Sequence, residues 1–323
     1  MHKTVLIGCG DIARRISKII DNKSIIYGLS RSPEKFPALR AAGITPIPGD
    51  LDKPDTLHRL AGLADTVIHL APPPPVDRTA HEQHDGRTPA DTRTRHLLAA
   101  LSRGKRPRTL IYISTSGVYG DCKGARVDET HPASPLNSRA KLRLDAERQI
   151  RRWARRNKVS ARILRVPGIY AEDRLPLDRL KKGTPAIIAS EDGYTNHIHA
   201  DDLARCVLAA LRHGRTGRIY HTVDDSNLRM GEYFDAVADS FLLPRPPRIS
   251  RAEAQQVLSP MLLSFMNESR QLDNRRMKQE LKVSLLHPTV GDLLATLRPP
   301  VPRREVSAAQ PASAQLEMFP PAQ

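Results

Sequence analysis

The sequence predicts an α/β fold built on a doubly wound parallel sheet, and three observations carry that prediction. Val5, Leu6 and Ile7 form a short, continuously apolar run, the pattern of a strand buried on both faces. Gly8-Cys9-Gly10 then turns the chain into a helical repeat of Ile12, Ile16, Ile19 and Ile20. Strand-like and helix-like segments alternate from there through the first half of the chain. A parallel sheet wound with helices on both faces, of the Rossmann type, is the expected result.

The first turn has a physical reading. Gly8 permits a tight exit from the strand, Gly10 lets backbone approach a pyrophosphate, and Ala13 is small enough for the helix to lie against the sheet. Phosphates would meet the free N–H groups at the helix start, where Asp11 and Ile12 stand. Ser24 to Leu29 reads as the second strand, which completes a β-α-β unit. An NAD site usually places Asp or Glu just past that strand to hold the ribose 2′-hydroxyl. Here the place holds Ser30-Arg31-Ser32, a hydroxyl and a guanidinium suited to a 2′-phosphate. NADP is therefore expected in preference to NAD, the alternative for Arg31 being a solvated loop charge.

At 323 residues the chain has room for one large α/β domain or two smaller ones. Lys and Arg total 51 against 35 Asp and Glu, a net charge of +16. The basic residues are dispersed and aromatics are few, so a nucleic-acid partner is not expected and anionic small molecules are favoured. Cys9, Cys122 and Cys206 are far apart, which suits a reducing cytoplasm and supplies neither a disulfide framework nor a zinc site. The N-terminus runs directly into a strand and no apolar run is long enough to span a bilayer, so neither a cleaved leader nor a membrane partner is expected.

In chain order, a helix over Pro33 to Ala42 and a strand near Ile44 to Ile47 lead to Gly49-Asp50-Leu51-Asp52. Asp50 and Leu51 follow a strand end, where ligand contacts gather, and Asp50 faces either an adenine ring or water. Thr66 to Leu70 is the next strand, and Ala71 with Pro72 to Pro75 ends it in a stiff segment that walls the cleft. Leu70 and Ala71 are assigned to the cofactor on that ground. His69 reads as a core histidine, and Asp77 to Arg93 as a polar loop before the helix of Leu97, Leu98 and Leu101. Thr109 to Ile113 is a strand that delivers Ser114-Thr115-Ser116-Gly117-Val118-Tyr119-Gly120 to the same sheet edge, where hydroxyls can bond a substrate oxygen.

Four stretches in order carry a resemblance over about residues 3 to 297: the glycine turn, Ile113 to Gly120, Leu164-Arg165-Val166-Pro167-Gly168-Ile169-Tyr170, and His197-Ile198-His199-Ala200-Asp201-Asp202-Leu203-Ala204. Together they resemble the extended short-chain dehydrogenase/reductase superfamily, the NAD-dependent epimerase/dehydratase group. The resemblance implies a Rossmann cofactor domain, residues 1–170 with 197–224 returning to it, and a smaller C-terminal α/β substrate domain, residues 171–196 and 225–298. It implies that Thr115 matches the family's catalytic Ser/Thr and that Pro167 and Ile169 run beside the nicotinamide. The implied activity is that of an NAD(P)-dependent oxidoreductase, epimerase or dehydratase acting on a small polar substrate, nucleotide-linked or anionic. A homodimer is the assembly allowed for.

Two departures stand out. The glycine pattern is Gly8-x-Gly10-x-x-Ala13 rather than Gly-x-x-Gly-x-x-Gly. The family's Tyr-x-x-x-Lys is matched by Asn137-Ser138-Arg139-Ala140-Lys141, so the lysine is kept and the tyrosine is not. The resemblance implies that Lys141 holds the cofactor ribose, the alternative being a surface lysine on a basic helix, and Asn137 cannot exchange a proton at neutral pH. Tyr119, Tyr170, Asp121, Glu129 and His131 are the substitutes in reach of the motifs. The alternative to an enzyme is a protein that keeps NADP without turnover, a sensor or scaffold.

The helix from Asn137 to Asn157 is strongly basic, with Leu142, Ala146, Ile150 and Trp153 as its buried stripe. Val159 to Val166 is a strand, Asp173 to Lys182 a short helix and Pro185 to Ala189 a short strand. Asp201 reads as the N-cap of a helix to Leu211, and His197 and His199 as packing and capping residues rather than metal ligands. Ile219 to Val223 is a late strand, followed by a helix striped with Met230, Phe234, Val237 and Phe241. Ser259 to Met266 is an apolar segment, and residues 299–323 turn to Pro, Ala, Gln and Ser, the composition of a disordered tail.

Overall fold

Seven parallel strands form the central sheet of this computed structural model, which describes residues 2–21, 23–75, 90–259, 262–263 and 266–297. They are β1 His2–Ile7, β2 Ser24–Ser30, β3 Thr45–Pro48, β4 Thr66–His69, β5 Thr109–Thr115, β7 Ser160–Val166 and β12 Ile219–His221. The spatial order is β12-β7-β5-β4-β1-β2-β3. The chain winds outward from β1 to β3, then crosses back to β4 on the other side of β1 and winds the opposite way. The point of reversal lies between β1 and β4, whose registers pair Ile7 with His69. Pro46 and Pro48 sit in β3, the edge strand, where a missing N–H costs no ladder bond on the open side.

The apolar runs are explained by helices on both faces. Val5, Ile7, Val67, Leu110 and Tyr112 face one way and pack in one cluster with α3 (Thr92–Ser102) and α4 (Ser138–Asn157). Leu6, Ile68, Ile111 and Ile113 alternate with them and pack in a second cluster with α1 (Asp11–Ile19), α2 (Phe36–Ala41) and α6 (Ala200–His213). A strand buried on both sides has no polar face to show, so it reads as continuous hydrophobicity.

The second half adds a separate apolar cluster around Tyr170, Leu180, Ile187, Phe234, Val237 and Leu293. It is built on α5 (Leu177–Lys181), α7 (Met230–Ser240) and the helix Val290–Leu297. Its strands are two or three residues long: β8 (Gly168–Tyr170) pairs with β11 (His197–His199), β9 (Ala186–Ile187) with Arg248–Ile249, and β10 (Tyr194–Thr195) with Leu228–Arg229. β6 (Arg126–Val127) pairs with Gln271–Leu272, tying the loop after β5 to the late chain.

Several elements differ from their expected bounds. The helix expected over Asp173 to Lys182 is a 3-10 turn, Glu172–Arg174, and then α5, because Pro176 between them cannot continue a helix. Asp201 is inside α6 rather than its cap; His199 caps it, its Nδ1 accepting the Asp201 N–H at 3.3 Å. His69 is the core histidine expected: it is buried, its Nε2 meets the Thr94 hydroxyl at 3.2 Å, and burial holds its pKa down at about 3. No helix of the described residues is long and apolar enough to cross a membrane. Most of the polar loop from Asp77, part of the Ser259 to Met266 segment and the tail from residue 299 lie outside the described residues.

Candidate active-site cleft

A cleft of about 460 Å³ opens at the carboxyl ends of β1, β2 and β4, over the point where the winding reverses. Open α/β sheets bind ligands at this place because the loops from the two central strands diverge there. Gly8, Gly10, Asp11, Ile12, Ser30, Arg31, Asp50, Leu51, Leu70, Ala71 and Ile169 all line it.

The two glycines serve different needs. Gly8 has φ +99°, and a Cβ there would lie 2.6 Å from the Ala71 nitrogen, so the β1 and β4 loops can touch only across a glycine. Gly10 has ordinary φ, and nothing lies within 4 Å of where its Cβ would be. No neighbour in the protein requires a glycine at position 10; the space it leaves belongs to the cleft. Gly10 also caps α1 without a side-chain bond, so the first N–H groups of that helix stay open to a ligand. Cys9 between them points inward, its thiol bonded to the Leu29 carbonyl at 3.4 Å, and burial pushes its pKa up to about 11. An inert, space-filling thiol results.

Charge along the cleft is predominantly positive. Arg31, Lys35, Arg93, Arg143 and Arg174 line it against two carboxylates, Asp11 and Asp50. Asp11 is answered within the protein by Arg15 at 2.9 Å and by Arg174 at 3.0 Å, which reaches across from the 3-10 turn of the second half. Arg93 forks onto Asp52 at 2.8 and 2.6 Å and also donates to the carbonyls of Pro72 and Pro73. Pro72 is thereby held as a wall of the cleft. With Asp52 committed to Arg93, Arg31 keeps only a 4.0 Å approach to it and is largely exposed. Ser30, Arg31, Ser32 and Lys35 form the rim past β2, with no acidic residue among them.

The inner end of the cleft is formed by Ile113, Ile169, Leu203 and Arg143. Arg143 is buried, and its Nη1 donates to the Ile113 carbonyl at 2.7 Å, the Tyr112 hydroxyl at 3.2 Å and the Ala71 carbonyl at 3.3 Å. Thr115 ends β5 next to this region; its Oγ1 accepts the Gly117 N–H at 3.2 Å, and it is not among the lining residues. Pro167 is not among them either.

Behind the sheet end runs a buried polar network. Glu147 takes the Ser114 hydroxyl at 2.5 Å and both arms of Arg165 at 3.1 and 2.8 Å. The Arg165 guanidinium stacks over Tyr119, whose hydroxyl meets His221 Nε2 at 2.6 Å. His221 Nδ1 donates to the Asp273 carbonyl, so Nε2 is the acceptor of the pair. Burial pushes Tyr119 up to about 12 and raises Tyr170 further still. Neither tyrosine lines the cleft, and neither is placed to exchange a proton there. Glu129 is committed to the His221 N–H and Arg276, Asp121 to the Ser269 N–H, and His131 lies beside Cys122. Among the described residues lining the cleft there is no tyrosine and no histidine.

The family model described as "NAD dependent epimerase/dehydratase family" matches residues 13–223. The chain belongs to this family. It is similar to human dTDP-D-glucose 4,6-dehydratase, 26% identical over 165 residues, 49% of this chain and 47% of the relative. It is 27% identical to the GDP-6-deoxy-D-mannose reductase of Pseudomonas aeruginosa over 243 residues, 66% of this chain and 78% of that one. The chain spans about half the length of the human and bovine dehydratases it matches. Among solved structures, a conserved protein of unknown function from Silicibacter pomeroyi superposes with TM-score 0.72 at 27% identity, covering 92% of this chain and 98% of that one. UDP-glucuronic acid 4-epimerase from Bacillus cereus, in complex with UDP-glucuronic acid and NAD, shares the fold at TM-score 0.70 and 20% identity, covering 91% and 96%.

For a member of the epimerase/dehydratase family, the long helix α4 has an unexpected phase. Asn137 precedes the helix as its N-cap, Oδ1 accepting the Ala140 N–H at 2.9 Å, while its Nδ2 donates to Glu268 at 3.2 Å. Lys141 is exposed and does not line the cleft. At 3.6 residues per turn it stands about 200° round the helix from Arg143, which does. Arg139, one turn before Arg143, is exposed and does not line the cleft. Arg143 escaped the sequence reading because a buried stripe sought among apolar residues passes over an arginine; the signal was its phase with Ala146 and Ile150.

Proposed function

We propose that this protein binds NADP in the cleft between β1 and β4 and is an NAD(P)-dependent oxidoreductase, epimerase or dehydratase acting on a small polar, nucleotide-sugar-like substrate. The observation that carries the reading is Gly10, a glycine with no neighbour in the protein to require it, at the open N-terminus of α1. Gly8, Gly10, Asp11 and Ile12 would hold the pyrophosphate. Asp50, Leu51, Leu70 and Ala71 would flank the adenosine half, and Ile169 the nicotinamide. Ser30, Arg31, Ser32 and Lys35 support NADP over NAD, since a 2′-phosphate would meet two cations and two hydroxyls, the Asp52 carboxylate beside Arg31 being held by Arg93. When bound, the nicotinamide supplies a hydride donor or acceptor. Thr115, at the end of β5, would bond a substrate oxygen.

Residues 1–170 with 197–224 would form the cofactor half, and 171–196 with 225–298 the substrate half. The family relatives named for dehydration, reduction and epimerisation of sugar nucleotides support that substrate class.

A second reading, an NADP-binding sensor or scaffold without turnover, is favoured by the cleft's lack of tyrosine and histidine among the described residues. Proton NMR separates the two. The protein with NADP⁺ or NADPH is incubated with UDP-glucuronic acid, dTDP-glucose and a GDP-4-keto sugar, and the anomeric signals are followed. Conversion of any of these supports the enzyme; NADPH binding with every sugar unchanged favours the sensor.

A further inference from the structure

A second concavity, of about 890 Å³, opens between α1, α6 and the segment 281–286. Among the described residues Asp11 alone lines both this groove and the cofactor cleft, so the two are separate spaces on either side of α1. On α6 the groove takes Arg205, Leu208, Ala209 and Arg212, spaced i, i+3, i+4 and i+7, which is one face of the helix. On α1 it takes Arg14, Arg15, Lys18 and Ile19. The third wall is fastened to α6 at two points. Asp202 accepts the Leu286 and His287 N–H groups at 2.7 and 2.9 Å, and Arg205 donates to the Ser284 carbonyl at 3.1 Å.

The lining is apolar and its charge is positive. Leu208, Leu281 and Val283 are buried, while Ile19 is 44% and Leu286 55% exposed, so two large aliphatic side chains face water in one groove. The groove's two carboxylates are answered within the protein: Arg15 meets Asp11 at 2.9 Å and Asp201 at 2.6 Å, and Arg174 meets Asp11 at 3.0 Å. Arg14, Lys18, Arg212 and Lys282 make no side-chain hydrogen bond or ion pair among the described residues. A bare inorganic anion would leave Ile19 and Leu286 in water, and a neutral apolar molecule would leave the four cations without a partner. A second copy of this chain would bring a net charge of +16 against a basic face. A concave space of this volume, walled on three sides, has the size of a small-molecule site.

We propose that the groove between α1, α6 and the segment 281–286 is a second ligand site, for an amphipathic anion: a small molecule with an apolar chain or ring and a carboxylate or phosphate head. The apolar part covers Ile19, Leu208, Val283 and Leu286, and the head is met by the uncommitted cations of α1 and α6. The site is distinct from the cofactor cleft and does not rest on the cofactor reading.

The test is calorimetric titration of the full chain with octanoate and with octyl phosphate at constant ionic strength, against 1-octanol and inorganic phosphate as single-feature controls. The wild type is expected to bind at least one of the two amphipathic anions in the millimolar range or tighter, and both controls at least tenfold more weakly. Octanoate alone binding identifies a carboxylate head, and octyl phosphate alone a phosphate head. Reversing charge with Arg14→Glu and Arg212→Glu together should weaken binding tenfold or more, and Leu286→Ser should do so with every cation kept. Thermal melting confirms that these surface variants fold. Saturating NADPH should leave the affinity within threefold. Absence of binding by the wild type, equal binding by the charge-reversed variant, or 1-octanol or inorganic phosphate binding as tightly as the amphipathic anions overturns the proposal. Displacement by NADPH would put the anion in the cofactor cleft and overturn it as well. A wild-type dimer in sedimentation that Leu286→Ser dissolves would give the groove to a second copy, with the same consequence. Binding that depends on Arg14 and Arg212 in a protein that takes up no NADPH would leave this site standing and remove the cofactor reading.

Discussion

Gly8 and Gly10 look alike in the sequence and do opposite work. Gly8 is fixed by the protein itself, through its positive φ and its approach to Ala71. Gly8→Ala should therefore destabilise the fold, by about 1–3 kcal/mol for a strained backbone and more if Ala71 must move. Gly10→Ala meets open space with ordinary φ, so its melting temperature should match wild type while NADPH affinity falls tenfold or more. Equal stability of the two variants would show that the close contact at Ala71 is not rigid.

Buried titratable residues set the pH response. His69, His197 and His221 are held by burial at about 3, 4 and 3, below the unfolded value of 6.5. As pH falls below 6.5 the unfolded chain takes up protons that the folded chain refuses, so stability drops. Asp224 works the other way: burial raises it from 3.8 to about 7, and its contribution is lost as pH rises toward 7. His199 is lowered with them, and Asp91, Glu129 and Asp192 are raised with Asp224, so the two sets oppose each other at about 1.4 kcal/mol per pH unit for each proton. Calorimetric stability of Asp224→Asn should therefore rise more steeply, or fall less, between pH 4.5 and 6.5 than that of the wild type. Identical pH profiles of the two would mean that Asp224 is hydrated.

Helix α4 shows where sequence reading stops. Its extent and its stripe of Leu142, Ala146 and Ile150 were legible from spacing, and those residues are buried. The charged half of the same face was not, because Arg143 and Glu147 are polar letters at core positions. A motif search finds a lysine at 141, whereas only the helical phase shows that position 143 faces the cleft. Glu147 gives this half its own test. It neutralises Arg165, both being less than 5% exposed, and Glu147→Gln leaves Arg165 buried without a counter-charge. Breaking such a pair costs about 3–5 kcal/mol, and removing both partners costs less than the sum. Urea unfolding of Glu147→Gln, Arg165→Met and the double variant should show that non-additivity. A loss under about 1 kcal/mol for Glu147→Gln would mean that water reaches the pair.

Across the molecule, the central sheet was legible because its inner strands are buried on both faces and most crossovers carry an α-helix. With those two facts the right-handed crossover rule leaves few topologies. The second half was less legible: Ala186–Ile187 falls within the strand expected over Pro185 to Ala189, whereas two-residue strands such as Tyr194–Thr195 and Leu228–Arg229 are too short for any period to show. The cleft residues from Gly8 to Ile12 and from Ser30 to Arg31 were readable because they follow strand ends in chain order. Arg93, Arg174 and Lys35 reach the cleft from other elements, and no local spacing announces them.

The central claim is that the cleft between β1 and β4 takes a dinucleotide and that its rim past β2 prefers the 2′-phosphate. The most direct measurement is a fluorescence titration with NADPH and NADH, on the wild type and on a variant carrying Ser30→Asp and Arg31→Ala. Saturable binding with NADPH at least tenfold tighter than NADH in the wild type, and the order reversed in the variant, is the predicted result. Failure of the wild type to bind either nucleotide would contradict the account.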